Sequence, residues 1–148
     1  MLNRSLVITL IVFICSFIGS AQTTDRPSGP DAGPIRSSPA YAEVLLRRTE
    51  LQAELEAVRP DYTDANPKII DLRFELTALD KALEKVYAVK PTETGKLTLA
   101  LGKMLVKRAS LETDVARLLR NYTNDNTEVK RARRRVEIFD NAIKEILP

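Results

Sequence analysis

The side chains that most often carry out chemistry are scarce in this sequence. It has no histidine and one cysteine, Cys15. That removes the commonest acid–base group, nucleophile and transition-metal ligands. Carboxylates remain, and Asp61, Asp64, Asp125 and Glu128 fall near two polar loops. A calcium site needs several oxygens converging from one loop. The run Asn121-Tyr122-Thr123-Asn124-Asp125-Asn126 supplies oxygens but lacks the acids and the glycine of such loops. Turn and cap chemistry accounts for these residues. No catalytic residue, metal ligand or cofactor is assigned, and the chain is read as a non-enzyme.

The other chemically suggestive stretch is basic: Lys130, Arg131, Arg133, Arg134 and Arg135. A charge run of this kind is ordinarily a solvated helix face, here with acids such as Asp114 at hand. The functional reading makes Lys130, Arg131, Arg134 and Arg135 an anion-binding face for acidic glycan, lipid headgroups or an acidic partner. Nucleic acid is excluded as the expected partner, because no aromatic residue interleaves with the cluster and the net charge is modest.

These residues sit on an internal repeat. With an offset of 60, nine identities align without a gap: Leu45, Arg48, Leu51, Tyr62, Thr63, Asn66, Arg73, Asp80 and Ala82 recur as Leu105, Arg108, Leu111, Tyr122, Thr123, Asn126, Arg133, Asp140 and Ala142. Each copy carries two apolar seams stepping by three and four, the spacing of one helix face. They are Tyr41, Val44, Arg48, Leu51, Leu55, Val58 and Ile69, Leu72, Leu76, Leu79, Leu83, Val86 in the first copy. In the second they are Leu101, Met104, Arg108, Leu111, Val115, Leu118 and Val129, Ala132, Val136, Phe139, Ile143, Ile146. Asn66-Pro67 starts a helix: Asn can cap the first turn, and Pro is tolerated where no N–H is needed. Pro60 ends the helix before it. Short polar loops then force antiparallel neighbours. The expected fold is all-α: an αα-hairpin at 39–89, a connector at 90–96 and a second hairpin at 97–148, packed together as an up-down four-helix bundle. Packing would bury the off-seam residues Leu45, Leu46, Ile70, Phe74, Leu97, Leu105, Val106, Leu119 and Ile138. An extended arrangement burying them against another chain is the alternative.

Antiparallel register makes facing positions add to 127 in the first hairpin and 247 in the second. Arg48 then stands near Asp80 and Arg108 near Asp140; Glu54 faces Arg73 and Asp114 faces Arg133. All four ion pairs are expected, the first two more buried because their arginines occupy seam positions, where a long stem can lie along apolar surface. Their role would be to set register, since a buried ion pair need not add net stability. At the hairpin tips, formed by Tyr62, Thr63, Asn66 and by Tyr122, Thr123, Asn126, the two rings are expected to fold back over the seam ends.

Residues 1–21 read as a signal peptide. Arg4 precedes an apolar run of 13 residues, 6–18, and Gly19-Ser20-Ala21 forms a small-residue cleavage site. The run is shorter than the ~20 residues of a spanning helix. An uncleaved anchor is the competing reading. A lipoprotein reading through Cys15 lacks the small residues expected before it. Export, to the periplasm or beyond, would leave 22 basic against 20 acidic residues and no thiol. Residues 22–38, with Pro27, Pro30 and Pro34, read as a disordered linker.

The pattern Tyr62-Thr63-x-x-Asn66-Pro67-Lys68-Ile69-x-x-Leu72-x-x-Glu75-Leu76-x-x-Leu79 resembles the periplasmic coiled-coil hairpin of bacterial polysaccharide chain-length determinants, also called polysaccharide co-polymerases. That family shows a Tyr, a short spacer and His-Pro or Asn-Pro opening a heptad helix. The second copy departs from it, with Thr127 and Glu128 in place of Pro67 and Lys68. The resemblance covers the hairpins and none of the family's membrane helices or kinase domain. It implies an envelope-located hairpin that forms oligomers. The resulting expectation is an exported, non-catalytic interaction module that self-associates or binds a protein partner. The alternative is a polyanion-binding module.

Overall fold

A computed structural model describes residues 32–148 of the chain. The expected signal peptide, 1–21, and the first part of the linker, 22–31, lie outside the described residues. The elements are α1 (Ala32–Arg36), α2 (Pro39–Val58), α3 (Pro67–Tyr87), a short 3-10 helix (Pro91–Lys96), α4 (Leu99–Leu119) and α5 (Thr127–Ile146). The protein is an all-α bundle, with no strand among the described residues.

Each long helix starts where a side chain can satisfy free backbone N–H groups. Ser38 accepts from the Tyr41 N–H, Asn66 from Lys68, Thr98 from Leu101 and Asn126 from Glu128. Pro39 and Pro67 occupy the first helical positions, where no donor is lost. None of the four seams has an exposed member. Leu51, Ile69, Leu79, Leu101, Leu111 and Val129 are among the fully buried side chains. The 3.6-residue period therefore decided which faces meet.

Helices α2, α3 and α4 pack mutually, and α5 packs on α4. Among the described elements, α5 makes extensive contact with α4 only. Its C-terminal end nevertheless reaches the main core, because Ile143 belongs to the same buried cluster as Leu51, Leu79 and Leu105. The bundle is thus a three-helix core with α5 laid against one side. The two hairpins are joined tightly at one point. A Cβ on Gly102 of α4 would lie 2.9 Å from the Ala40 Cα and 3.0 Å from its carbonyl oxygen on α2. The Ala40 N–H donates to the Leu97 carbonyl, 3.2 Å away, at the same place. Nearby, the Tyr41 and Tyr87 rings meet edge-on with centroids 5.6 Å apart.

Two expectations need correction. The linker at 22–38 is not disordered to its end. Residues 32–36 form α1, and Ile35, the one strongly apolar side chain of that stretch, is buried in the core. The Ser38 hydroxyl donates to the Ile35 carbonyl at 2.6 Å and fixes the entry into α2. Burial of Ile35 anchors the segment, and the Ser37 and Ser38 hydroxyls donate to the Pro34 and Ile35 carbonyls at its end. Packing of the hairpins also covers fewer off-seam residues than expected. Leu97 and Leu105 are buried and Val106 is half-buried, but Leu45, Leu46, Ile70, Phe74, Leu119 and Ile138 remain exposed. The position of α5 leaves the flank between α3 and α5 open, which accounts for Phe74 and Leu119, whereas Leu46 lies on the side of α2 that faces away from the core.

Candidate interaction surface

The repeat is clearest at the tips. Asn66 N donates to the Thr63 carbonyl at 2.9 Å, and Asn126 N to Thr123 at 3.1 Å. The Asn66 and Asn126 side chains each cap the N–H two residues on, at 2.8 Å. Arg73 Nη2 reaches back to Asp64 Oδ1 at 2.5 Å, and Arg133 Nη2 makes the equivalent bond to Asn124 Oδ1 at 2.6 Å. These ties correct two expected ion pairs. Glu54 does not meet Arg73; it pairs with Lys68 at 3.0 Å. Asp114 does not meet Arg133; it pairs with Arg117 one turn away. In both hairpins the tip residue offered a closer acceptor than the facing helix did.

Tyr62 and Tyr122 do not fold back over the seams. They are 48% and 49% exposed. At the seam ends Ile69 and Val129 are buried and Val58 and Leu118 half-buried.

The seam arginines do meet acids. Arg48 Nε donates to Asp80 Oδ1 at 2.7 Å. Arg108 Nε lies 2.9 Å from Asp140 Oδ1, and Arg108 Nη2 lies 2.8 Å from Glu112. The contact with Asp140 is ionic rather than an aligned hydrogen bond, since the buried Arg108 Nε–H has no hydrogen-bond acceptor. Burial pushes the Asp140 carboxyl up. A hydrogen bond from Lys144 and the charges of Arg108, Lys144 and Lys85 outweigh burial and hold it below its ordinary value.

Two further pairs escaped the register rule. Arg47 places Nε and Nη2 at 3.1 and 3.0 Å from Glu75 Oε1, and Glu75 is buried. Burial lowers the Arg47 guanidinium, but Glu75 and Glu50 raise it further, so the net shift is upward. Arg120 lies 2.8 Å from Asp71 and ties the end of α4 to the start of α3. Their signal was faint: charged residues flanking a seam rather than facing each other across it.

The basic cluster on α5 is largely a solvated face. Arg131 pairs with Glu128, Arg134 with Glu137 and Lys130 with Asp125. Arg135 has no acid partner among the described residues. The more developed concavity lies elsewhere, between α3 and α5 with α4 as its floor, about 640 Å3 in volume. Phe74, Val115, Leu119 and Val136 supply its apolar surface, and Lys81, Lys85 and Arg133 its rims. A second hollow of about 510 Å3 shares Lys85 and is lined also by Lys90, Lys96 and Lys144. The groove's acids are already engaged: Glu112 and Asp140 with Arg108, and Glu137 with Arg134. Lys81, Lys85 and Lys90 head no ion pair among the described residues, and Arg133 spends its bond on a neutral amide.

Among the described residues no group of three His, Cys, Asp or Glu is placed to hold a metal ion, and no helix is long and apolar enough to cross a membrane. Comparison with known families, curated proteins and solved structures finds no match.

Proposed function

We propose that the chain is an exported, non-catalytic helical module that works by contact with protein, as a self-associating or accessory component of a cell-envelope assembly. One observation carries this reading. Large apolar side chains stay exposed on a well-packed bundle, Phe74 at 42% and Leu119 at 38% beside the groove and Leu46 at 58% on α2. Phe74 and Leu119 line one concavity with Val115 and Val136, and contiguous apolar surface of this kind, unlike singly scattered side chains, supports a contact site. The exposed tip tyrosines point the same way. The envelope location rests on the signal-like residues 1–21 and on the hairpin pattern described above.

The polyanion reading has less behind it, because Lys130, Arg131 and Arg134 each already have a carboxylate. Both readings are tested together. A photo-crosslinking residue at Leu46, Phe74 or Tyr122, placed in the expressing cell, should give protein adducts in the envelope fraction that a buried control at Leu51 does not. No adduct from any exposed site would refute the reading. Neutralising Arg131, Arg134 and Arg135 should leave the adducts intact. If it removes them and abolishes salt-sensitive binding to acidic glycan, the polyanion reading replaces it.

A further inference from the structure

Lysines gather at the end of the bundle opposite the hairpin tips. The hollow of about 510 Å3 there is enclosed by the end of α3, the connector and the end of α5, and ligand pockets are of this size. Lys85, Lys90, Lys96 and Lys144 line it, against the single acid Glu93. Glu93 is taken by Lys96 at 2.6 Å. Lys144 reaches Asp140 at 3.1 Å, but Arg108 lies 2.9 Å from the same carboxylate. Lys85 and Lys90 are exposed and meet no carboxylate among the described residues. Pro148 also lines the hollow and forms no ion pair with the four lysines among the described residues. Helix ends explain part of this gathering. Lys85 and Lys144 lie in the last turns of α3 and α5, where each helix presents roughly half a negative charge. Two such ends offset about one charge, whereas four lysines against one glutamate leave a net +3. The nearby acids feel the excess. A hydrogen bond from Lys96, its charge and that of Lys90 hold the Glu93 carboxyl below its ordinary value. At Asp140 burial raises the carboxyl, and Lys144, Arg108 and Lys85 together lower it further.

We propose that this lysine-lined hollow binds a phosphate group in its dianionic form. The site is distinct from the basic stretch on α5, and the inference goes beyond the interaction-module reading without resting on it. A phosphomonoester carries about −1.5 to −2 at neutral pH with three strong acceptor oxygens, which matches an excess of about two positive charges. Ammonium groups suit it, since each is a point charge with three donors on a flexible stem and can close on a tetrahedral anion from several sides. A carboxylate, with one charge and two oxygens, would leave a cation unmatched. Part of the lining is apolar, with Ile143 buried and Val89 and Leu147 half-buried, so the organic end of a phosphate ester also finds surface there. Because Lys85, Lys90 and Lys144 are exposed, binding weakens with salt. It also weakens as pH falls through about 6, where the phosphate takes up a proton.

Two double variants test the site. Lys85→Gln with Lys90→Gln removes the unpaired cations of the hollow. Arg131→Gln with Arg134→Gln removes the same charge from α5 and is the control. All four side chains are exposed, and a circular-dichroism melt checks that each variant folds. The first probe is inorganic phosphate, titrated at neutral pH and constant low ionic strength into the 15N-labelled protein. Saturable amide shifts should cluster at residues 85–96 and 143–147. One ammonium at ~4 Å in water is worth about fivefold in affinity, so the hollow variant should bind at least roughly tenfold more weakly, and the control as the parent does. The second probe is flotation with phosphatidylcholine vesicles, with and without phosphatidic acid. Flotation that needs phosphatidic acid, is lost in the hollow variant and survives in the control assigns the phosphate to a lipid headgroup. Saturable shifts without flotation assign it to a soluble phosphate. A protein that shows neither, shifts that follow the basic stretch of α5, or a hollow variant that binds no more weakly than the control overturns the proposal. The crosslinking at Leu46, Phe74 and Tyr122 reads protein contact alone, so it stands or falls independently of these outcomes.

Discussion

Gly102→Ala should destabilise the protein, against the usual direction for a helical glycine. Alanine is favoured over glycine in a helix interior by ~1 kcal/mol. At Gly102 the added methyl would sit 2.8 Å from the Glu43 Cβ, 2.9 Å from the Ala40 Cα and 3.0 Å from the Ala40 carbonyl oxygen. Two of the three are backbone atoms of α2, which cannot swing aside as a side-chain tip would. Relief requires α2 and α4 to separate, straining the bond from Ala40 N to the Leu97 carbonyl. Overpacking of this kind costs ~1–3 kcal/mol, and the close backbone contacts place Gly102 in the upper half of that range. The net loss is about 1–2 kcal/mol, or a fall in Tm of about 4–8 °C for a domain of this size. Gly95→Ala is the control: nothing lies within 4 Å of its added Cβ. It should leave Tm unchanged or raise it slightly. Differential scanning calorimetry on both variants decides the matter. A Gly102→Ala protein melting at or above the parent would mean that the hairpins do not cross at that point.

Other perturbations have equally definite outcomes. Leu51→Ala, at a fully buried seam position, should cost ~2–5 kcal/mol, whereas Leu46→Ala should change stability by less than ~0.5 kcal/mol; equal effects in urea titration would reverse the assignment of the two faces of α2. A double-mutant cycle on Arg48 and Asp80, both partly exposed, should give a coupling of ~0.2–1 kcal/mol, and no coupling would end the register role. Asp140 has its carboxyl held below the ordinary value, so its stabilising contribution is full above the unfolded carboxyl's range and is lost as pH falls through the lowered folded one. Asp140→Asn should therefore flatten that part of the acid limb of a stability–pH curve, and an unchanged limb would show that Asp140 contributes nothing there. Asn66→Ala and Asn126→Ala should each cost ~1 kcal/mol through the lost caps, and a marked inequality would break the equivalence of the tips.

The long helices and their buried faces were legible because heptad spacing and caps are local signals. The facing rule located Arg48 near Asp80 and Arg108 near Asp140, since a register treats each residue as a point on a line. It failed for Glu54–Arg73 and Asp114–Arg133, where an arginine of long reach found a tip acceptor nine residues back. It missed Arg47–Glu75 for the same reason: the guanidinium spans more than a helical turn. Ile35 was hidden by its proline-rich surroundings. The pairing of α5 with α4 was legible from the second register, but its position relative to α3 was not. A seam says that a helix has a partner, and α5 satisfies its seam on α4 whether or not α3 lies beside it.

That one-sided attachment makes the molecule two-tiered in its motions. Opening α5 from its Thr127 end exposes Val129 and Ala132 but leaves the α2–α4 triangle closed, while Ile143 holds the far end in the common core. Amide exchange should thus be fastest in the first half of α5 and slow towards Ile143, with α3 and α4 protected to the global limit. One wall of the groove would then be hinged at its base, free to widen for a bulky occupant and close on a slender one without unfolding the core.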